Sequence, residues 1–148
     1  MEAQGDADMN VRDYLAQLEA IETRIKNIQF DIAQLKDLAL SITPAYEGER
    51  VQASGNNQRM ATAVDRWADK EREMNLTIDK LVDKRLEIAG TINCLKRPKE
   101  SGVLHMVYIQ KKSFKEIAAH YDKSVSWATS IHGRALQSLQ KVLDAREV

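Results

Sequence analysis

Apolar residues recur at alternating steps of four and three from residue 14 to residue 42. The series consists of Tyr14, Leu18, Ile21, Ile25, Ile28, Ile32, Leu35, Ala39 and Ile42. This spacing is typical of the a/d seam of a coiled coil, and it predicts one long helix over about residues 10–42. Pro44 ends the helix, because the residue before a proline disfavours the α region. The polar residues 1–9 before the helix are expected to be disordered.

A second series with the same spacing follows a loop over residues 43–56. It consists of Met60, Val64, Trp67, Glu71, Met74, Ile78, Leu81, Arg85, Ile88, Ile92 and Leu95. The series predicts a second helix over about residues 57–97, with cations in its last turn and Pro98 just beyond. The two helices are expected to fold back as an antiparallel coiled-coil hairpin, with Ile28 near Met74 and Tyr14 near Ile88.

Further apolar residues of the hairpin lie off the main seam, and they are sufficient for a second one. They are Leu15, Phe30, Leu38, Leu40, Leu76, Val82 and Leu86. Because two helices alone bury little surface, we expect this stalk to form a homodimer or to dock on a partner. The polar entries Glu71 and Arg85 in the main seam are expected to fix register or partner.

The pattern changes after Pro98 to three shorter elements, which predict a separate domain over residues 98–148. A first helix is expected over about residues 101–110. Ser113 and Glu116 have the spacing of a capping box, which opens a short helix over residues 114–120. After a turn of three residues, Ser124 can cap a longer helix from Val125 to about Asp144. The two last helices and their turn have the dimensions of a helix-turn-helix.

The last of these helices carries an apolar stripe and an exposed polar face. The stripe consists of Val125, Ala128, Ile131, Ala135, Leu136, Leu139 and Val142. The exposed face consists of Ser126, Trp127, Thr129, Ser130, Gly133 and Arg134. Since such a helix enters the major groove with its N-terminal residues at the base edges, this face predicts binding of double-stranded DNA. Phosphate contacts are expected from Lys111, Lys112, Lys115 and Lys123.

An alternative interpretation is a three-helix bundle whose exposed face is only solvated. Trp127 is the residue on which the two interpretations differ most, since its ring is as suited to packing against the first helix or the stalk as to touching DNA. His120 and His132 are interpreted as surface or structural histidines. No set of Cys and His residues has metal-ligand spacing, so the sequence predicts no metal and no cofactor.

Charge and composition narrow the class of protein. The chain has 148 residues, no net charge and one cysteine, Cys94. Residues 98–148 hold eight Lys/Arg against five Asp/Glu, a net charge of +3, and the preceding part carries −3. A mildly basic domain on an acidic stalk fits a modest DNA binder. No run of apolar residues is long enough to span a membrane, and no catalytic motif occurs, so we expect a cytoplasmic protein that is not an enzyme.

The segment SFKEIAAHYDKSVSWATSIHGRALQSLQKVL resembles region 4 of sigma-70-type factors, which reads S-x-x-E-I-A, a turn, and a helix ending in A-L-x-x-L. Nearly the whole chain, including SITPAYEGERVQASGNNQRMA and LVDKRLEI, resembles a phage- and prophage-borne sigma-like family of Firmicutes. That family contains a domain of unknown function and is akin to the ArpU and RinA late-transcription regulators.

The resemblance implies a DNA-binding regulator of phage genes that acts near a promoter and touches RNA polymerase. Aligned on A-L, the base contacts of region 4 fall on Val125, Ser126, Trp127, Thr129 and Ser130, where this chain lacks the Arg, Glu and Gln of sigma factors. With Ser124 at the cap, these positions complete the candidate DNA contacts. No segment resembles sigma region 2, which melts the promoter.

Two other classes of function remain open at this level. A small terminase-like packaging protein also joins a helix-turn-helix to helical oligomerisation elements, and it would form a ring of many subunits. A pure interaction protein would dock its helix-turn-helix on polymerase without touching DNA. A ring of many subunits would identify the packaging protein. In the pure interaction protein, replacing Thr129, Ser130 and Arg134 by alanine should leave function intact.

Overall fold

A computed structural model describes residues 10–42 and 50–146 of the chain. This part of the chain is helical and contains no strand. The α-helices are α1 (Val11–Ile42), α2 (Arg50–Ile92), α3 (Pro98–Leu104), α4 (Phe114–Tyr121) and α5 (Val125–Arg146), and a π-helical turn (His105–Ile109) follows α3. The predicted all-α class, two long helices in contact followed by a helix-turn-helix region, is confirmed. The predictions for residues 1–9 and 43–49 lie outside the described residues.

The chain divides into two compact units. One unit is Ala20–Leu81, and the other joins Val82–Val148 to the N-terminal residues up to Glu19. The hairpin helices therefore contribute to both units. The domain boundary expected between residues 97 and 98 stays a prediction.

In the unit Ala20–Leu81, the two long helices lie antiparallel. Ile28, Ile32 and Ala39 of α1 are buried, as the first series predicts. Ion pairs join Arg24 to Glu73 at 3.3 Å and Lys70 to Asp31 at 3.6 Å, across the two helices. Lys36 Nζ lies 5.0 Å from the centroid of the Trp67 ring. These pairs agree with the register expected from the two series.

Four of the eleven positions in the second series, Val64, Glu71, Ile78 and Arg85, are exposed rather than buried. Val64 and Ile78 are 43% and 37% exposed, while Ala63 and Thr77 are buried in their place. Glu71 is exposed and accepts a hydrogen bond from Trp67 Nε1 at 2.8 Å, so its assignment to the core is wrong. A threonine is tolerated in the core here because its hydroxyl donates within the helix, from Thr77 Oγ1 to the Glu73 carbonyl at 2.8 Å.

In the part of α2 that belongs to the other unit, Ile88 and Ile92 are buried as the second series predicts. Arg85 is exposed, and Thr91 is buried with 1% exposure. The Thr91 hydroxyl lies 2.9 Å from the hydroxyl of Tyr14 and 3.1 Å from the Glu87 carbonyl. Both polar groups of this buried pair are therefore satisfied. Arg85 does not occupy the core position that the series assigned to it.

The second long helix begins and ends earlier than its pattern indicates. It begins at Arg50 rather than near residue 57 and ends at Ile92 rather than at residue 97. No proline lies between Pro44 and Pro98, so nothing in the chain forbids the earlier start. At the other end, the Cys94 amide donates to the Thr91 carbonyl and the Leu95 amide to the Ile92 carbonyl, which forms a turn after the helix. Pro98 then opens α3, where its missing N–H costs nothing.

The start of α1 is built into the unit that contains the C-terminal helices. Its buried residues are Val11, Tyr14, Leu15 and Leu18. Leu15, which lies off the main seam, is only 2% exposed and therefore belongs to the core of this unit. The Val11 amide donates to Gln140 Oε1 of α5 at 2.8 Å, which satisfies one of the free amides at the start of α1.

The core of the C-terminal helices lies between α3, the π-helical turn, α4 and α5. Its buried cluster consists of Val103, Met106, Ile117, Ala118 and Ala128. The first helix starts at Pro98, before the expected residue 101, and the π-helical turn carries Met106 into the core. Ala118 is only 4% exposed, and its small side chain suits a position where two helices approach closely.

Helix α5 buries Ala128, Ala135, Leu136, Leu139 and Leu143. Val125 was expected in this stripe, but its side chain is 47% exposed, so that prediction is wrong. Val125 is the first residue of α5, and the core cluster on this helix begins only at Ala128. At the far end Leu143 is buried, whereas Val142 is only half-buried.

Candidate nucleic-acid interface

Local hydrogen bonds fix the turn between α4 and α5. Ser113 Oγ accepts from the Glu116 amide at 3.2 Å and caps α4, and Ser124 Oγ accepts from the Trp127 amide at 3.0 Å and caps α5. Asp122, in the left-handed conformation with φ 56°, ends α4. The next amide, of Lys123, donates to the Ala118 carbonyl at 2.8 Å. Both serine caps that the sequence predicts are confirmed, and together with Asp122 they set the direction of α5.

Most of the predicted base-reading side chains lie on the solvent side of α5. Ser126, Thr129, Ser130, Gly133 and Arg134 are all exposed. At 3.6 residues per turn, positions 126, 130 and 133 follow one another along one face of the helix. This face is short, polar and nearly uncharged over its first two turns.

Trp127 does not share this orientation. Its indole is half-buried against the core cluster, with the ring centroid 5.3 Å from that of Tyr121. Lys99 Nζ lies 5.9 Å from the centroid on the same ring. The structure therefore supports packing within the domain as the main role of Trp127. A Cβ at Gly102 would collide with the Tyr121 hydroxyl, so a larger residue there would displace this ring.

The four lysines expected at phosphates lie at the two ends of α4. Lys111 and Lys112 precede the helix and Lys115 lies in its first turn, whereas Lys123 lies in the turn before α5. Lys111, Lys115 and Lys123 are exposed, and Lys112 is half-buried. They add positive charge to the loops that flank the helix-turn-helix.

Arg134 lies among cations that the sequence analysis did not select. A groove of about 470 Å³ brings it together with Lys96, Arg97 and Lys141. An adjoining pocket of about 340 Å³ is lined by Arg97, Lys99 and Arg134, among others. The sequence signal for this groove is the run of cations around Pro98, which the helical pattern alone assigns to a helix end.

Glu100 is the acidic residue that lines this groove. It is 5% exposed, and its Oε2 accepts a hydrogen bond from Ser138 Oγ at 2.9 Å. Arg97 Nη1 lies 4.0 Å from Oε1. The carboxylate is therefore held below the surface by α5, and the exposed rim of the groove is positive.

The aromatic residues around His132 explain its role. The Tyr108 hydroxyl lies 2.9 Å from His132 Nε2, and the Tyr108 and Phe114 rings pack on the imidazole. Burial lowers the pKa of His132 below its usual value of 6.5, and the nearby charge of Arg12 lowers it further. His132 is thus a packed structural histidine, as expected. Among the described residues no cluster of His, Cys, Asp and Glu could hold a metal ion.

Caps, turn and exposed face together define a helix-turn-helix domain. Residues 97–141 match the family model described as sigma-70, region 4. Region 4 is a DNA-binding regulatory helix-turn-helix rather than a catalytic domain, and domains of this family bind DNA and contact RNA polymerase. No match was found among curated proteins or among solved structures. In the described ranges no helix is long and apolar enough to cross a membrane.

Proposed function

We propose that this protein is a sequence-specific DNA-binding transcription regulator that reads the major groove with α5. The observation that carries the proposal is the exposed polar face from Ser126 to Arg134 on the second helix of a helix-turn-helix, in the segment similar to sigma-70 region 4. A helix in this position presents its first turns to the base edges. Ser124, Val125 and Ser126 begin that surface.

The positive groove beside Arg134 supports binding of the phosphate backbone. Arg97, Lys99 and Lys141 add charge next to α5, and Lys111, Lys112, Lys115 and Lys123 add charge around α4. Phosphate contacts position a protein on DNA and release counterions, so affinity should fall steeply with salt. The few polar groups on α5 give modest specificity by themselves.

We therefore propose that a second contact, to another copy or to RNA polymerase, strengthens binding at the promoter. The unit Ala20–Leu81 exposes large apolar side chains, with Phe30, Leu40 and Leu76 each at least 64% exposed. Exposed residues of this kind are typical of interaction surfaces. The resemblance to the prophage-borne family supports a role in phage transcription, in the cytoplasm of the bacterial host.

The experiment that tests the proposed function is selection of duplexes from a random DNA pool by the full chain, followed by affinity measurements between 50 and 200 mM salt. We expect an enriched sequence motif and weaker binding at higher salt. Ser130→Asp places a negative charge on the reading face and should abolish binding. Asn10→Asp, which keeps the side-chain acceptor at the cap of α1, is the matched control and should bind as the parent does. Recovery of no motif, or equal binding by both variants, would overturn the proposal.

Light scattering on the same protein tests the assembly. A dimer that dissociates on Phe30→Ser/Leu40→Ser supports the role proposed for the hairpin. A ring of many subunits would favour a packaging protein. A monomer that binds polymerase but no DNA would favour a pure interaction protein.

A further inference from the structure

The first two turns of α5 present little hydrogen-bonding capacity to a base edge. The Ser124 hydroxyl is engaged in capping, since its oxygen accepts from the Trp127 amide. Thr129 Oγ1 donates to the Ser126 carbonyl at 2.9 Å, so its proton points back into the helix. Trp127 packs on the core cluster. What remains polar on these turns is the pair of short hydroxyls of Ser126 and Ser130.

No long donor or acceptor compensates for this. Arginine, lysine, asparagine and glutamine are the side chains that make bidentate contacts to guanine or adenine, and glutamate or aspartate accepts from cytosine. None of these residue types occurs between Ser124 and Gly133. Arg134 comes nine residues after Val125, about 13 Å further along the helix axis, and it lies in the positive groove with Arg97. It is therefore placed for the backbone rather than for the first bases.

The same two turns expose apolar groups that the core does not use. Val125 is 47% exposed at the first position of α5. Thr129 is one turn further along on the same side, and because its hydroxyl is bonded to the helix, its methyl is the part left for a partner. In the major groove, one base feature is complementary to such groups, the C5-methyl of thymine.

We infer that α5 recognises thymines in its DNA site through apolar contacts of Val125 and of the Thr129 methyl group with thymine C5-methyl groups. This inference rests on the proposed function and adds to it the chemical feature that is read. Ser126 and Ser130 then supply short hydrogen bonds that any of several bases can accept or donate. Specificity then arises mainly from the fit and burial of thymine C5-methyl groups against Val125 and Thr129.

Deoxyuridine provides the test, because it differs from thymidine only in lacking the methyl group. After selection of a binding motif, each thymine is replaced singly by deoxyuridine, and the affinity is measured at constant salt. Burial of one methyl group predicts a loss of about three- to fivefold at each contacted thymine. Val125→Ala should reduce the difference in affinity between the thymine and deoxyuridine duplexes at one position. Thr129→Ser, which keeps the hydroxyl, should do so at another.

Val82→Ala is the matched control, since Val82 on α2 has the same exposed fraction as Val125, 47%. It should keep the full difference between thymine and deoxyuridine. Circular dichroism of each variant checks that the fold is retained. Sequence-specific binding that is unchanged by deoxyuridine at every position would overturn the inference and leave the proposed function standing. Failure to select any motif would overturn both.

Discussion

The buried carboxylate of Glu100 accepts a hydrogen bond from the Ser138 hydroxyl at 2.9 Å, and this contact ties α3 to α5. Ser138→Ala removes the donor and leaves an underpaired charge below the surface. We expect a loss of about 1–3 kcal/mol in the free energy of unfolding, measured with urea. Ser41→Ala, at an exposed serine of α1, should cost far less. Equal losses would show that the Glu100 contact does not stabilise the domain.

Two substitutions at Ser124 separate its effect on stability from its effect on DNA affinity. Ser124→Ala should lower the free energy of unfolding by about 1 kcal/mol, since the Trp127 amide loses its acceptor. Ser124→Asp restores an acceptor and favours the helix N-terminus, so stability should return to that of the parent. Its negative charge lies at the start of the surface proposed to contact DNA, so DNA affinity should fall. A variant that is as stable as the parent and binds DNA as tightly would contradict the proposed position of the DNA.

His132 gives stability a dependence on pH. Its folded-state pKa lies below the unfolded value of about 6.5 because of burial and the charge of Arg12, so the unfolded chain binds the proton more readily. The stabilisation should be complete above about pH 7.5 and decline as the pH falls through 6.5 towards the folded-state pKa.

Urea unfolding between pH 5 and pH 8 measures the slope of the free energy of unfolding against pH. His132→Gln should flatten it. His120→Gln is the matched histidine variant, at an exposed residue that does not belong to the cluster of His132, Tyr108 and Phe114. An unchanged slope in the His132 variant would locate the dependence elsewhere.

The expected domain boundary at residue 98 is tested by a fragment. In the full chain the compact unit of the C-terminal helices also contains the N-terminal residues up to Glu19 and the end of α2 from Val82 onward. The Val11 amide donates to Gln140 Oε1 of α5. A fragment of residues 98–148 would lose these residues, so we expect a lower melting temperature and reduced helicity by circular dichroism. A fragment that melts as cooperatively and at the same temperature as the full chain would establish an independent domain at that boundary.

Features that depend on neighbouring residues could be predicted from the sequence. The caps at Ser113 and Ser124 need only a hydroxyl three residues before an amide, and the turn between α4 and α5 needs only short polar residues. The long helix over residues 11–42 follows from a seam that is apolar at every step. Each of these signals lies within the segment that forms the feature.

Other features depend on packing that a periodic pattern does not contain. On α2 two phases of the heptad repeat compete, and apolarity favours Ile78 although Thr77 is the buried residue. The threonine can be buried because its hydroxyl bonds to its own helix, which the pattern ignores. Arg97 and Arg134 are far apart in sequence, and only the packing of α3 on α5 brings them into one groove.

The central claim, that the first turns of α5 contact the bases of duplex DNA, is tested most directly by the amide NMR spectrum of the full chain with and without a selected duplex. The account predicts that the largest shift changes fall on residues 124–134, with smaller changes near Lys115 and Arg97. Tight binding with those amides unchanged, and with the shifts confined to the hairpin, would contradict it.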